Sequence, residues 1–369
     1  MGRMHIVHIY KDYAPVVGGI ENHVRDLGEL LVGRGHRVTV LVTSLDGQSQ
    51  IERPHPQLTV IKAARLLHAA STPLSLAMLG FARGLRPDVV HLHFPYPPGD
   101  LAALAVPGGA PLVITYHSDI VRQQNLLRIY RPLMGLTLRR ARTIMATSPA
   151  YIASSPVLRR HAAKCQVVPL GIDVGRFQPA APRQGKADHV LFVGRLRYYK
   201  GLHILLDAMR DVDARLTIAG SGPEQARLEA QAQALGIAQR VRFAGDVADA
   251  DLPTLYRSAD VFVLPAHLRS EALGLALIEA LASGVPSVST ELGTGTSFVN
   301  LHGETGLVVP PGDPAAMGQA IRTLLGDAAL RQRYAAAAQA RAHALFSRER
   351  MAAEVERVYR EALARTATR

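Results

Sequence analysis

Short apolar runs recur along the chain, separated by longer stretches in which apolar positions fall three and four residues apart. His5-Ile6-Val7-His8-Ile9-Tyr10 is the first run and predicts a strand. Gly18-Gly19 follow in a loop, and Ile20 to about Val32 has the spacing of a helix. Further strands are predicted at Arg37 to Val42, Leu58 to Ile61, Asp88 to Leu92, Pro111 to Thr115, Thr143 to Ala146 and Gln166 to Val168. Most of these runs are apolar at successive positions, not at alternate ones. Both strand faces are then buried, the mark of a parallel sheet covered by helices on each side.

The alternation stops between Phe177 and Asp188, a polar stretch with two prolines and no period, which reads as a linker. It resumes with strands at His189 to Gly194, Arg215 to Ala219, Val241 to Phe243, Val261 to Leu264, Val285 to Ser289 and Gly306 to Val309. Helical patterns run from Gly201 to Met209, from Pro223 to Leu235 and around Ile278 to Ser283, and Ala-rich helices close the chain. The pattern predicts two doubly wound, Rossmann-like α/β domains, 1–176 and 177–349, facing a cleft. The last helix, about 350–369, is expected to pack back on the first domain. Ligands of such folds bind at the carboxyl ends of the strands.

At 369 residues the chain is long enough for two cores. Cys165 is the single cysteine, which excludes a disulfide framework or a cysteine-based zinc site as the organising chemistry. No apolar run approaches the roughly 18 residues a membrane span needs, and no signal-like segment precedes the first strand, so a cytoplasmic protein is expected. The net charge is +12, and it is uneven: 20 Lys+Arg against 10 Asp+Glu up to residue 178, and 22 against 20 beyond it. A basic first half suits a polyanionic partner, either an acidic membrane surface or nucleic acid. With no Trp and 5% aromatic residues, the stacking platform of a single-strand nucleic-acid binder is missing, and no nucleic-acid partner is expected. The stretch from Arg122 to Arg142 carries six arginines among leucines, isoleucine and methionine. It reads either as a core-facing helix with a charged rim or as a helix lying on the inner face of the cell membrane.

Two carboxylates stand out. Glu271 and Glu279 flank Gly274 and Leu275 in a loop, glycine, helix pattern that follows the strand ending at Leu264. A helix start offers unpaired N–H groups and a partial positive charge to an anion. Eight residues of helix span roughly 12 Å, which would set the two carboxylates one sugar to either side of a diphosphate. Arg195 and Lys200 leave another strand end after Gly194 and are two cations suited to a phosphate leaving group. Gly220 and Gly222, before Pro223, suggest close backbone approach to a ligand, although a plain tight turn has the same composition. Gly18 and Gly19 offer a similar phosphate or sugar loop, with Asn22 and His23 turned to the cleft. His117 ends a strand, where an imidazole can bond a sugar hydroxyl. His91 and His93 read as packing or acceptor-side residues. No carboxylate cluster supports a metal.

These features resemble the retaining glycosyltransferases of sequence family four, which have the GT-B fold. The resemblance runs through nearly the whole chain. It includes the N-terminal glycine pair, His91-Leu92-His93-Phe94, Val168-Pro169-Leu170-Gly171-Ile172-Asp173, Gly194-Arg195 with Lys200-Gly201, Gly220-Ser221-Gly222-Pro223, and the glutamate pair before Ala282-Ser283-Gly284-Val285-Pro286. It implies that Arg195 and Lys200 hold the diphosphate, that Glu271 bonds the donor sugar and Glu279 the ribose, and that Gly274 and Leu275 touch the donor. It places His117 near the anomeric carbon and the segment around Val247 beside the base. The family usually has Phe where this chain has Leu273. Thr294 to Asn300 and Ser118 to Gln123 are most similar to bacterial mannosyl- and rhamnosyl-type transferases of surface polysaccharide synthesis. The implied activity is metal-independent transfer of a hexose, with GDP-mannose the expected donor, to a glycan or lipid-linked acceptor, with no further cofactor. The alternative is a nucleotide-sugar epimerase or hydrolase on the same fold.

Overall fold

A computed structural model describes residues 2–16, 18–69, 72–120, 124–178 and 186–367. The chain forms two compact units. Unit 1 comprises Met1–Thr147, Ile152–Leu170 and Arg348–Arg369, and unit 2 comprises Ser148–Tyr151 and Gly171–Ser347. The centre of the sequence-predicted linker, 179–185, and Arg122 lie outside the described residues.

Unit 1 opens with β1 (His5–Ile9), α1 (Gly19–Gly33), β2 (Arg37–Thr43), β3 (Gln50–His55), β4 (Leu58–Ala63) and the short hairpin β5 (Leu67–Ala69) and β6 (Thr72–Leu74). It continues through α2 (Leu76–Gly84), β7 (Val89–Phe94), α3 (Pro97–Ala105), β8 (Leu112–Tyr116), α4 (Gln124–Arg140), β9 (Thr143–Ala146), α5 (Pro149–Ser154) and β10 (Cys165–Val167). The main sheet has the order β10-β9-β8-β7-β1-β2-β4-β3. All its pairs are parallel except that of β3 with β4. Sequence reading missed β3 because every one of its residues is exposed. A polar edge strand holding Pro54 carries no hydrophobic signal and discourages further pairing. β1 is where the winding reverses, with β2 on one side and β7 on the other, so the carboxyl ends of β1 and β7 flank this sheet's switch point.

In unit 2 the elements are β11 (His189–Val193), α6 (Leu202–Ala208), β12 (Arg215–Ala219), α7 (Gln225–Ala234), β13 (Val241–Gly245), α8 (Leu252–Arg257), β14 (Val261–Leu264) and α9 (Leu275–Ala282). β15 (Ser287–Thr290), α10 (Thr296–Val299), β16 (Gly306–Val309), α11 (Pro314–Gly326) and α12 (Ala328–Leu345) follow. This sheet is parallel throughout and ordered β13-β12-β11-β14-β15-β16, so its reversal falls between β11 and β14.

The last helix, α13 (Arg348–Ala367), belongs to unit 1. Its Met351, Val355, Val358 and Tyr359 pack with Val24 and Leu27 of α1 on the sheet face that carries Ile6 and Val113. A charged clamp fixes it there. Glu356, buried, meets Arg34 at 2.6 Å, His36 at 3.2 Å and Arg360 of its own helix. Burial alone would raise this carboxyl, but the three donors outweigh it and hold the pKa down to about 2.

The arginine-rich stretch folds as α4 and divides its apolar residues between two faces. Tyr130, Thr137 and Leu138 are buried, and the Tyr130 hydroxyl donates to buried Asp100 of α3. Leu126, Ile129 (81% exposed) and Leu136 face solvent between the exposed Arg128, Arg131, Arg139 and Arg140. The core-facing reading therefore accounts for only part of the stripe.

Candidate active site

Parallel strands present all their carboxyl ends along one edge, and in unit 2 that edge collects most of the predicted residues. Going across β13, β12, β11 and β14, the ends lead into Val247, Gly220 to Gly222, Gly194 to Lys200, and the loop holding Glu271. The last two loops flank the switch point. There the Lys200 ammonium lies 2.6 Å from the Glu271 carboxylate, both side chains mostly buried. Burial pulls the Lys200 pKa down, but Glu271, Tyr199 and the more distant Glu279 outweigh it, so the ammonium is held above its ordinary range. The result is a fixed positive charge at a strand end with a carboxylate oriented by it.

Gly201 makes this loop possible. Its φ is +71°, and a Cβ there would lie 1.9 Å from the Pro265 carbonyl oxygen, so the turn that delivers Lys200 passes directly against the end of β14. Gly220 and Gly222 have a similar cause. A Cβ at Gly220 would sit 2.2 Å from the Gly194 oxygen, and one at Gly222 2.4 Å from the Leu196 oxygen. These glycines let two loops of the protein touch each other. Of the two readings the sequence leaves open, close approach to a ligand or a plain tight turn, these chain-to-chain contacts favour the turn. Arg195 is exposed beside Gly194, and Val247 is half-buried beyond β13.

The helix start is Gly274, with φ +84°, followed by Leu275 as the first residue of α9. Glu271 thus lies in the loop, three residues before Gly274, and the expected eight-residue helical separation from Glu279 does not hold. What fixes Glu271 is a staple from further along. Thr294 Oγ1 donates to the Glu271 carbonyl at 2.8 Å, and the Gly295 N–H donates to the Ala272 carbonyl at 2.7 Å. A Cβ at Gly295 would come within 2.7 Å of that same carbonyl oxygen, so only glycine permits the contact. Glu279 does sit on α9, where it accepts a bond of 2.7 Å from the Tyr256 hydroxyl, and burial raises its pKa. Tyr256 and Thr294 were missed as functional supports. Their role lies in tertiary partners, and no local signal marks it.

In unit 1, Gly18 caps α1, and a Cβ on it would lie 2.2 Å from a Glu21 carboxylate oxygen; Gly19 is the first helical residue. His23 is not turned outward. It is buried beneath α1, edge-on to His93 and His117 at 5.5 Å between ring centroids in each case. Strand register explains this gathering. His8 pairs with His91 and His93 with Thr115, so side chains two apart fall on one sheet face, with His117 next beyond Thr115. His91 bonds the Tyr359 hydroxyl at 2.6 Å and Thr115 at 2.7 Å. His8 bonds His93, and His93 bonds His117, each at 3.0 Å. Burial lowers every one of these pKa values, joined by repulsion from neighbouring rings at all but His23, to about 3 for His8, to about 4 for His23 and well below the usual range for the other three. The rings are neutral at ordinary pH.

Two triplets of these histidines, His8-His91-His93 and His23-His93-His117, bring ring nitrogens within 4.8 Å of one another, close enough to hold a metal ion. The contacts His8–His93 and His93–His117, however, are at hydrogen-bond distance, 3.0 Å each. Hydrogen bonds between the rings account for these nitrogens without a metal ion.

Two doubly wound sheets of this kind, parallel but for β3, have the GT-B architecture. Residues 17–176 match the family described as Glycosyltransferase Family 4, and residues 175–341 match Glycosyl transferases group 1. The chain is 44% identical to D-rhamnosyltransferase WbpZ of Pseudomonas aeruginosa over 87% of its own length and 86% of that protein's. It is 36% identical to O-antigen chain mannosyltransferase C of Escherichia coli, over 94% and 96%. Among solved structures, sucrose-phosphate synthase from Thermosynechococcus elongatus superposes with a TM-score of 0.84 at 25% identity, over 98% of this chain and 100% of that one. The chain belongs to glycosyltransferase family four and is a glycosyltransferase.

Proposed function

We propose that the protein transfers a manno-configured hexose from a GDP-sugar to a hydroxyl of a growing surface glycan or its lipid-linked precursor, with retained anomeric configuration and without a metal ion. GDP-mannose is the favoured donor, and the rhamnosyl relative makes a 6-deoxy sugar of the same configuration the next to test. The observation that carries the reading is the Lys200–Glu271 pair at the unit 2 switch point, beside the unpaired N–H groups that open α9. A diphosphate matches Lys200, exposed Arg195 and the N–H groups at Gly274 and Leu275. Glu271 then accepts from hydroxyls of the sugar, and Glu279, steadied by Tyr256, from those of the ribose. The bond from the anomeric carbon to the phosphate oxygen breaks as that carbon bonds the acceptor oxygen on the same face. The acceptor proton goes to a phosphate oxygen of the leaving group, whose charge Lys200 and Arg195 offset. The family resemblance supports a role for His117 toward the reacting sugar. The relatives named above are transferases, which supports transfer over epimerisation or hydrolysis.

The exposed Leu126-Ile129-Leu136 stripe with its four arginines supports a cytoplasmic protein that docks on an anionic membrane where such acceptors reside. No helix among the described residues is long and apolar enough to cross a membrane. The test is transfer from a panel of GDP- and UDP-sugars, with EDTA present and the product anomer read by NMR. Donor turnover confined to UDP-sugars would overturn the donor, an inverted product the stereochemistry, and loss of transfer in EDTA the metal independence. Sedimentation with phosphatidylglycerol vesicles, weakened by Ile129→Glu, tests the docking.

A further inference from the structure

His8, His93 and His117 form an unbranched chain of hydrogen-bonded imidazoles. His8 Nδ1 faces His93 Nε2 and His93 Nδ1 faces His117 Nε2, both at 3.0 Å. His23 stands edge-on to the last two rings, and neither of its nitrogens has a partner among the described residues, so it takes no proton from the chain. All three linked rings are buried and neutral. A neutral imidazole has one N–H and one lone pair. Because His93 must donate at one nitrogen and accept at the other, only two proton arrangements satisfy both bonds. In one, every ring carries its proton on Nδ1; in the other, every ring carries it on Nε2.

The two arrangements differ only at the ends. His8 Nε2 is buried with no partner among the described residues. The first arrangement leaves a bare lone pair there, and the second leaves a buried N–H without an acceptor. Orphaned buried donors are the rarer and the more costly case. At the far end the choice fixes what His117 offers. The first arrangement gives it an Nδ1–H, and the second gives it a lone pair.

We propose that His93, with His8 behind it, is a positioning residue that locks His117 in the Nδ1-protonated tautomer, so that His117 meets its ligand as a hydrogen-bond donor and not as a base. The ligand class is an oxygen acceptor, a sugar hydroxyl or a phosphate oxygen. The inference rests on the reading of His117 given under the proposed function, but the tautomer itself does not. It agrees with a transfer in which the acceptor proton goes to a phosphate oxygen and needs no imidazole base.

Ring-15N histidine NMR of the whole protein reads the tautomers, with assignments from single Leu variants. Expected in the parent is Nδ1 protonation at His8, His93 and His117. His8→Leu passes the unpartnered nitrogen to His93 Nε2, where the same cost keeps the lone pair bare, so His117 should stay protonated on Nδ1. Kinetics supply the second readout. His93→Leu should lower kcat about tenfold, the worth of one misdirected hydrogen bond, with little change in KM. In a His117→Gln background, whose amide donates regardless of tautomer, His93→Leu should cost little more. Nε2 protonation of His117 in the parent overturns the proposal, as does a His93→Leu loss that is equal in both backgrounds. If the Leu variants fail to fold, single Gln variants supply the assignments and the parent spectrum decides. If the tautomers are as stated but His117→Leu transfers at the parental rate, the lock stands and the reading of His117 in transfer fails.

Discussion

The two units share a design and differ in what they place at its weak point. Each is a parallel sheet whose winding reverses once, between β1 and β7 in unit 1 and between β11 and β14 in unit 2. At the unit 2 reversal stands an ion pair, Lys200 with Glu271, in which the neighbouring carboxylate outweighs burial and keeps the Lys200 ammonium charged. At the unit 1 reversal stand five imidazoles with no opposite charge among them, and desolvation keeps them neutral. The lesson is that the fold supplies a location and the side chains supply its electrostatics. On the proposed reading, the first location suits a phosphate anion and the second suits uncharged hydroxyls or hydrogen bonds of fixed direction.

Removing the unit 2 charge should break the comparison most severely. Lys200→Ala leaves Glu271 buried without its cation, and transfer should fall about 10²- to 10³-fold, as for loss of one oxyanion-stabilising donor. A turnover assay at saturating donor measures it, and activity within tenfold of the parent would remove Lys200 from the centre. Next in size is Glu356→Gln, which should destabilise unit 1 by about 3 kcal/mol at neutral pH, from a carboxyl held near 2 against its ordinary 4.5. Its folded-state pKa is depressed, so that stability is present above about 4.5 and is lost as pH falls through about 2. Denaturant melts of parent and variant should therefore converge in acid, and a gap that persists at pH 2 would point to packing instead.

The neutral site predicts a smaller effect with a different signature. His117→Gln, which keeps a donor, should retain at least about a tenth of the parental kcat, while His117→Leu should lose more. Because burial holds these imidazoles well below their ordinary pKa, the parental rate should show no histidine titration between pH 6 and 8. A steep rise through pH 6.5 that disappears in His117→Gln would contradict the neutral column. The mildest change is Tyr256→Phe. It deletes one hydrogen bond to Glu279, worth about 1 kcal/mol, so nucleotide affinity should weaken about fivefold by calorimetry with no change in product.

Much of this was legible in the residues. The parallel sheets followed from runs apolar on both faces, and Lys200, Glu271 and Gly274 were visible because a strand end followed by glycine is a local pattern. β3 was not legible, since an exposed edge strand repeats no hydrophobic signal. Helical spacing was assumed from Glu271 to Glu279, but Gly274 starts the helix late and Thr294 holds the loop from a distance.

The sequence by itself determined most of the buried strands and the helices between them, where the chain must turn on glycine, and which family it joins. Each of these depends on neighbours within a few residues or on motifs in a fixed order. Only the tertiary structure decided that His8, His23, His91, His93 and His117 form one cluster, that Tyr256 carries Glu279, and that Glu356 draws Arg34 and His36 onto α13. The partners come from segments far apart in the chain. Strand order and register bring them together, and neither is written in the local alternation of apolar and polar residues.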